Sequence, residues 1–198
     1  IPYVSLVPGA SFRGLHDSIV NYLGNEQPAM VITLHEEHAV AIAHGYSKVT
    51  EKPMAAALHS NVGLLHASMA IFNAWCDRAP VLILGATGPM AADRRRPWID
   101  WIHTSHDQGS LVRSFTKWDD QPASVPAALE SLLRANALTT TAPAGPVYLC
   151  FDDDLQERAP AEEVAFPDVA RFRLGAAAAP ARETVSEIAA TLATAKRP

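Results

Sequence analysis

What most limits the folds open to this chain is an alternation along its length. Short, near-continuous apolar runs take turns with longer segments of helical period. The strand-length runs cover residues 3–7, 30–35, 54–60, 81–86 and 147–151, and most are Val, Ile, Leu and Ala. Such runs suit strands covered on both faces, as in a parallel sheet. Between them, residues 12–23 place apolar side chains at 12, 15, 19 and 23, while 36–48 and 63–75 follow strands directly. Residues 124–136 open on a Ser cap. This order predicts an α/β fold: an open parallel sheet with helices on both faces, joined by right-handed crossovers.

Residues 1–153 are expected to form one domain. The character changes at 154–175, which is charged and Pro-bearing with few periodic apolar positions. Together with the alanines at 176–179 it reads as a linker, 154–179. Residues 180–198 then read as the first helix of a further domain, with Val185, Ile188 and Leu192 on one face. That helix has nothing to pack on, and the N-terminus enters an apolar run almost at once. The chain is expected to be a fragment of a larger polypeptide, its N-terminus incomplete.

Net charge is −5 at pH 7 and the pI is about 5.9. No clustered basic surface is expected, which argues against nucleic-acid binding. The single basic run, Arg94 to Arg96, reads as a solvated turn. Cys76 and Cys150 lack metal-ligand spacing and read as small buried hydrophobes in a reducing compartment. No apolar run reaches the roughly 18 residues of a membrane span. With no signal peptide visible, a cytoplasmic protein is expected.

In open α/β sheets, ligands bind at the carboxyl ends of the strands. The residues there are Pro8-Gly9-Ala10-Ser11, His35-Glu36-Glu37-His38, His59-Ser60-Asn61 and Gly85-Ala86-Thr87-Gly88. Small residues let a ligand approach the backbone, and ionisable groups stand at helix starts. Ordinary strand–helix punctuation would look similar. Glu36 is the sharpest residue. Its carboxylate would lie in a first helical turn, where the helix dipole favours the ionised form and partial burial opposes it. Simple capping would also put a Glu there.

Several stretches resemble the thiamine-diphosphate enzymes. His35-Glu36-Glu37-His38-Ala39, continuing through Ala43-His44-Gly45-Tyr46-Ser47-Lys48, resembles that family's His-Glu-x-x-Ala…Ala-x-Gly-Tyr-Ala-Arg signature. Val7-Pro8-Gly9 resembles its preceding Pro-Gly turn. Leu58-His59-Ser60 through Gly63 resembles a segment of benzoylformate decarboxylases. Phe72-Asn73-Ala74-Trp75 with Arg78-Ala79-Pro80-Val81-Leu82 is similar to that group and to acetolactate-synthase-like proteins. Lys117-Trp118 and Gly145-Pro146-Val147-Tyr148-Leu149 match further landmarks, in order.

The resemblance implies a pyrimidine-binding (Pyr) domain of an enzyme acting on 2-keto acids. Glu36 would hydrogen-bond N1′ of the cofactor's aminopyrimidine and favour the imino form that removes the C2 proton of the thiazolium. His59 would lie over the reacting centre and relay protons, although a His satisfied by backbone carbonyls would look the same. The cofactor would meet Pro8, Gly9, Glu36, Ser60 and Gly63, and the substrate Ala10, Ser11 and His59. Of the other histidines, His35 is expected to shape the strand end, His38 and the neighbouring Glu37 to face solvent, and His103 and His106, in the Trp-rich loop of residues 98–108, are minor candidates to approach the pocket.

Three departures stand out. Benzoylformate decarboxylases carry Ser where Ala10 stands. The usual Asn of the following helix is His66. The Gly-Asp-Gly…Asn-Asn motif that binds Mg²⁺ and diphosphate in the family's PP domain is missing, and Asp152-Asp153-Asp154 reads as a strand end and linker. The resemblance thus implies half a cofactor site, completed by the PP domain of a second subunit in a homodimer or homotetramer. FAD, carried by some acetolactate-synthase relatives, is not indicated. Two other classes stay open: a Pyr-type assembly module, for which Glu36 would be superfluous, and a flavodoxin-like nucleotide-binding domain. The latter would need a Gly-rich phosphate loop that Val7-Pro8-Gly9-Ala10 does not supply.

Overall fold

The structure, a computed structural model, describes residues 1–160, 163–172 and 179–197. In chain order the elements are β1 (Tyr3–Leu6), α1 (Arg13–Asp17), β2 (Ala29–Ile32), α2 (Glu36–Thr50), β3 (Met54–Leu58), α3 (Ser60–Cys76) and β4 (Val81–Thr87). There follow β5 (Asp119–Asp120), α4 (Val125–Thr140), β6 (Val147–Asp152), α5 (Asp153–Glu157) and α6 (Arg182–Thr194). Six strands form one sheet in the order β2-β1-β3-β4-β6-β5, with every pairing parallel. The expected α/β architecture with an open parallel sheet is what forms.

Alternation along each central strand feeds two cores. Ala56, Leu58, Ile83, Tyr148 and Cys150 face one side, where Val40 and Ala43 of α2 and Leu64, Ala67, Ile71 and Ala74 of α3 cover them. Ala55, Ala57, Leu82, Leu84, Val147 and Leu149 face the other, under Phe12, Ile19 and Ala135. Both faces of β3 and β4 are therefore dry, which is why their sequence is an unbroken apolar run.

Several boundaries differ from the sequence expectation. β2 ends at Ile32 rather than at residue 35. Thr33 turns the chain there: its amide donates to the Leu6 carbonyl at 2.8 Å, and its hydroxyl lies 3.2 Å from the carbonyls of Leu6 and His35. Leu34 is thrown outward, 95% exposed. The segment 12–23 is not one regular helix. It forms a 3₁₀ turn (Ala10–Phe12), then α1, then a π-helical turn (Ser18–Tyr22). α3 starts at Ser60, three residues before Gly63. Ser124 does cap α4, its hydroxyl accepting from the Ala127 amide at 3.3 Å.

Three polar expectations need correction. Arg96 is not part of a solvated turn. Its guanidinium reaches Asp153 at 2.7 Å and Asp100 at 3.3 Å, and both carboxylates are buried. Nor is 152–154 merely a strand end running into linker. Asp152 accepts from the Asp154 amide at 2.8 Å and caps α5, which occupies the start of segment 154–179. Of the two thiols, Cys150 is buried but Cys76 is exposed, because it closes the outer end of α3. Residues 161, 162, 173–178 and 198 of the expected linker and terminal helix lie outside the described residues. α6 forms within 180–196 as expected and is exposed throughout, Val185, Ile188 and Leu192 included. Among the described residues no helix is long and apolar enough to cross a membrane.

Candidate active site

Strand order locates the crevice. The chain leaves β1 toward β2 on one side and returns to place β3 on the other. Loops after β1 and β3 therefore diverge, and such a switch point is where open α/β sheets bind ligands. The β1 loop brings Pro8, Gly9, Ala10 and Ser11. The β3 end brings His59 and Ser60, and the β2 end brings Glu36.

Glu36 is the first residue of α2, and the carboxylates of Glu36 and Glu37 both lie in that first turn. His35 caps it from extended backbone, its Nδ1 accepting from the Glu37 amide at 3.2 Å. Glu36 is only 8% exposed. Its Oε2 lies 3.3 Å from His66 Nδ1, and among the described residues Oε1 has no hydrogen-bond partner. Gly63 explains how a carboxylate fits there. A Cβ on Gly63 would stand 3.1 Å from Glu36 Cγ and 3.3 Å from its Oε1. Gly9 does the same for His59, since a Cβ at residue 9 would meet the His59 Cβ and Cγ at 2.7 Å. Close approach thus requires the glycine at residue 9 and favours the one at residue 63. Their backbones are unstrained.

His59 is half-buried and tied down from one side. Its Nδ1 lies 2.9 Å from Ser11 Oγ and 3.4 Å from the Ser11 amide. Burial foremost, with the neighbouring His103, pushes its pKa below the usual imidazole value, and the charge of Glu36 opposes this. Ser60 begins α3 at φ 52°, a left-handed conformation that a non-glycine residue adopts only under local constraint. The constraint is visible. Its amide donates to Ser11 Oγ at 3.1 Å, and its hydroxyl donates to the His103 carbonyl and, at 3.2 Å, to Asn61 Oδ1. Ser60 is fully buried and braces the crevice wall. Pro8 and Ala10 are exposed and carry no side-chain hydrogen bond.

Two histidines join the site that spacing alone could not place there. His66 touches Glu36, and its ring stacks on His35 with centroids 4.9 Å apart. The one hint was its standing where an Asn was expected. His103 lies with its ring 5.0 Å from that of His59. His38 and Glu37 are exposed, as expected. Gly85 and Gly88 do not open into the crevice. A Cβ on Gly85 would strike the buried Tyr148 hydroxyl at 2.2 Å, and one on Gly88 would strike Thr104 Oγ1 at 2.6 Å. Ligand-type atoms of His35, Glu36 and His66 fall within 4.8 Å of one another, although His35 Nδ1 already serves the Glu37 amide.

A carboxylate with one uncommitted oxygen, in a wall cleared by glycine, suits a ligand that presents a hydrogen-bond donor. Comparison with known proteins agrees. A family model described as thiamine pyrophosphate enzyme, N-terminal TPP binding domain, matches residues 3–111, more than half of the chain. Benzoylformate decarboxylase of Pseudomonas aeruginosa is 28% identical over 172 residues, spanning 85% of this chain and 31% of that protein. Acetolactate synthase of Bacillus subtilis is 26% identical over 155 residues, spanning 78% of this chain and 26% of that protein. The chain thus spans between about a quarter and a third of the length of these relatives. A thiamine diphosphate-dependent 4-hydroxybenzoylformate decarboxylase from Rhodococcus jostii RHA1 shares the fold, with a TM-score of 0.76 and 22% identity over the whole chain and 35% of that structure. The match over the first four strands, with Glu36 and the two cleared walls inside it, leads to one conclusion: the chain belongs to the thiamine pyrophosphate enzymes, as their N-terminal cofactor-binding domain.

Proposed function

We propose that this chain supplies the pyrimidine-binding half of the active site of a thiamine-diphosphate- and Mg²⁺-dependent 2-keto acid decarboxylase or carboligase, benzoylformate-decarboxylase-like in kind. The observation that carries the reading is Glu36: buried, first in its helix, with Oε1 uncommitted beside Gly63. When bound, the cofactor supplies the electron sink for breaking the bond next to a keto carbon.

The chain's own residues do the rest. Glu36 holds the aminopyrimidine by a charge-assisted hydrogen bond at its ring nitrogen and keeps a proton on that atom. Gly63 gives the carboxylate room, and His66 steadies its other oxygen. Pro8 and Gly9 form the floor of the site, and the missing side chain of Gly9 lets His59 pack against it. His59 faces the substrate beside Ala10, and Ser11 stands against the His59 ring. The α2–α3 wall limits water around the carboxylate, which strengthens each polar contact. Mg²⁺ and the diphosphate fall to the PP domain of a second subunit, so the working form is a homodimer or homotetramer. Two free thiols suit a reducing, cytoplasmic setting.

A second reading, acetolactate-synthase-like carboligation, is favoured by Ala10. It offers no hydroxyl where benzoylformate decarboxylases carry Ser. The test is carbon dioxide release by the full-length protein from benzoylformate and from pyruvate, with thiamine diphosphate and Mg²⁺, beside a Glu36→Gln variant. Activity in the wild type and a loss of about 10²-fold or more in the variant is expected, as for a lost proton-handling group. Undiminished activity of Glu36→Gln would remove the central residue. Turnover of pyruvate in preference to benzoylformate would select the second reading.

A further inference from the structure

Ser11 makes two different contacts with one nitrogen, and together they determine where the His59 proton sits. The Ser11 amide, 3.4 Å from His59 Nδ1, can only donate. A neutral His59 must therefore accept at Nδ1. The Ser11 hydroxyl, 2.9 Å from the same nitrogen, could in principle point either way. However, the Ser60 amide donates into Ser11 Oγ at 3.1 Å and leaves the hydroxyl proton free for Nδ1. Ser11 and Ser60 are both buried, so water does not compete for these partners.

With Nδ1 as acceptor, the neutral ring carries its proton on Nε2, which has no partner among the described residues. His103 is held the opposite way. Its Nδ1 lies 3.1 Å from the Ile99 carbonyl, which can only accept, so the proton is on Nδ1 and the lone pair on Nε2. Two imidazoles 5.0 Å apart thus carry opposite tautomers. The groups that bear on the charge of His59 are His103, which disfavours protonation, and Glu36, which favours it.

We propose that Ser11 is a positioning residue that locks His59 in its Nε2–H tautomer, so that the ring offers the crevice a hydrogen-bond donor for an oxygen of the 2-keto acid. This rests on the thiamine-diphosphate reading and on His59 facing substrate. Ala10, one residue earlier, has no polar group to offer. The donor at this site is therefore an imidazole whose orientation is set from behind by the residue next to the expected contact.

The test is a double-mutant cycle on the full-length protein, with Ser11→Ala, His59→Ala and their combination, beside Ser11→Thr and Glu36→Gln. Readouts are kcat and KM for the better keto acid, cofactor Kd and Tm. Ser11→Ala deletes the 2.9 Å hydroxyl contact and leaves the longer 3.4 Å amide contact, so kcat/KM should fall by roughly 10-fold, a fraction of the 10²–10³-fold loss seen when an oxyanion donor is removed outright. Cofactor Kd should hold, and Ser11→Thr should restore the rate. In the His59→Ala background Ser11→Ala should cost nothing more, because it acts through that ring. Independent, multiplying losses overturn the proposal while leaving the reading intact, as does a folded Ser11→Thr as poor as Ala. If Ser11→Ala lowers Tm, the Thr variant and the cycle still decide. A fully active His59→Ala overturns the proposal through its premise about that residue. A fully active Glu36→Gln instead removes the thiamine-diphosphate reading itself.

Discussion

Replacing Gly63 by alanine sets two forces against each other at the carboxylate. Gly63 lies inside α3, where Gly→Ala is worth about 1 kcal/mol in helix propensity. Against that, the new methyl would stand 3.1 Å from Glu36 Cγ, 3.3 Å from its Oε1 and 3.3 Å from the Leu58 carbonyl carbon. Overpacking a filled site costs about 1–3 kcal/mol. The net is a loss of about 1 kcal/mol in this domain. The softer partner is the Glu36 side chain, so the carboxylate moves by a few tenths of an ångström while the backbone holds. A misplacement of 1 Å in a catalytic group can cost ~10²-fold, so a shift of this size should cost on the order of 10-fold. The assay pairs thermal unfolding of the full-length protein with carbon dioxide release and cofactor affinity. Small stability loss with a large activity loss is expected. Wild-type turnover and affinity in Gly63→Ala would show that Gly63 does not set the position of the carboxylate.

Other perturbations address the loop beyond β4. Arg96→Met leaves buried Asp100 and Asp153 without their cation. Breaking a buried pair costs about 3–5 kcal/mol, and the partial exposure of Arg96 brings this to about 2–3; an unchanged urea midpoint would contradict it. Asp153 itself is pushed up to about 7 by burial, against the opposing pull of Arg96. A carboxylate raised in the folded state contributes stability that is present below its unfolded value of about 4 and is lost as pH rises through about 7. Relative to Asp153→Asn, the wild type should lose Tm steadily across that window and level off above it. Parallel curves for the two proteins would refute the shift.

Much of the fold was legible because its central strands are dry on both faces, and dryness writes itself as an unbroken apolar run. The same signal misjudged β2. Leu34 prolongs the run but points into solvent, since the Thr33 hydroxyl and amide have already turned the chain. β5 could not be seen at all. Asp119 and Asp120 have no strand character, and only the open edge of β6 makes them one. At the site, Glu36, His59 and Gly9 were visible because each follows a strand or opens a helix, and Gly63 only through the resemblance of residues 58–63 to a known segment. His66 was not, and His103 was only a minor candidate, because their contacts span 30 and 44 residues and depend on packing of α3 and on the course of a long loop. The Arg96–Asp153 pair, 57 residues apart, was hidden for the same reason.

The reversal between β1 and β3 also separates two kinds of mutational freedom. Because the chain turns opposite ways at that seam, the crevice exists before any side chain is chosen to line it. Its lips, Pro8 to Ser11 and His59 to Asn61, lie beyond the last residues that fill the cores. An exchange such as Ser for Ala at residue 10 touches no core contact, so it can redirect what is bound without unsettling what holds the sheet. Lineages built on this scaffold can therefore diversify their chemistry at the lips while selection on foldability acts elsewhere.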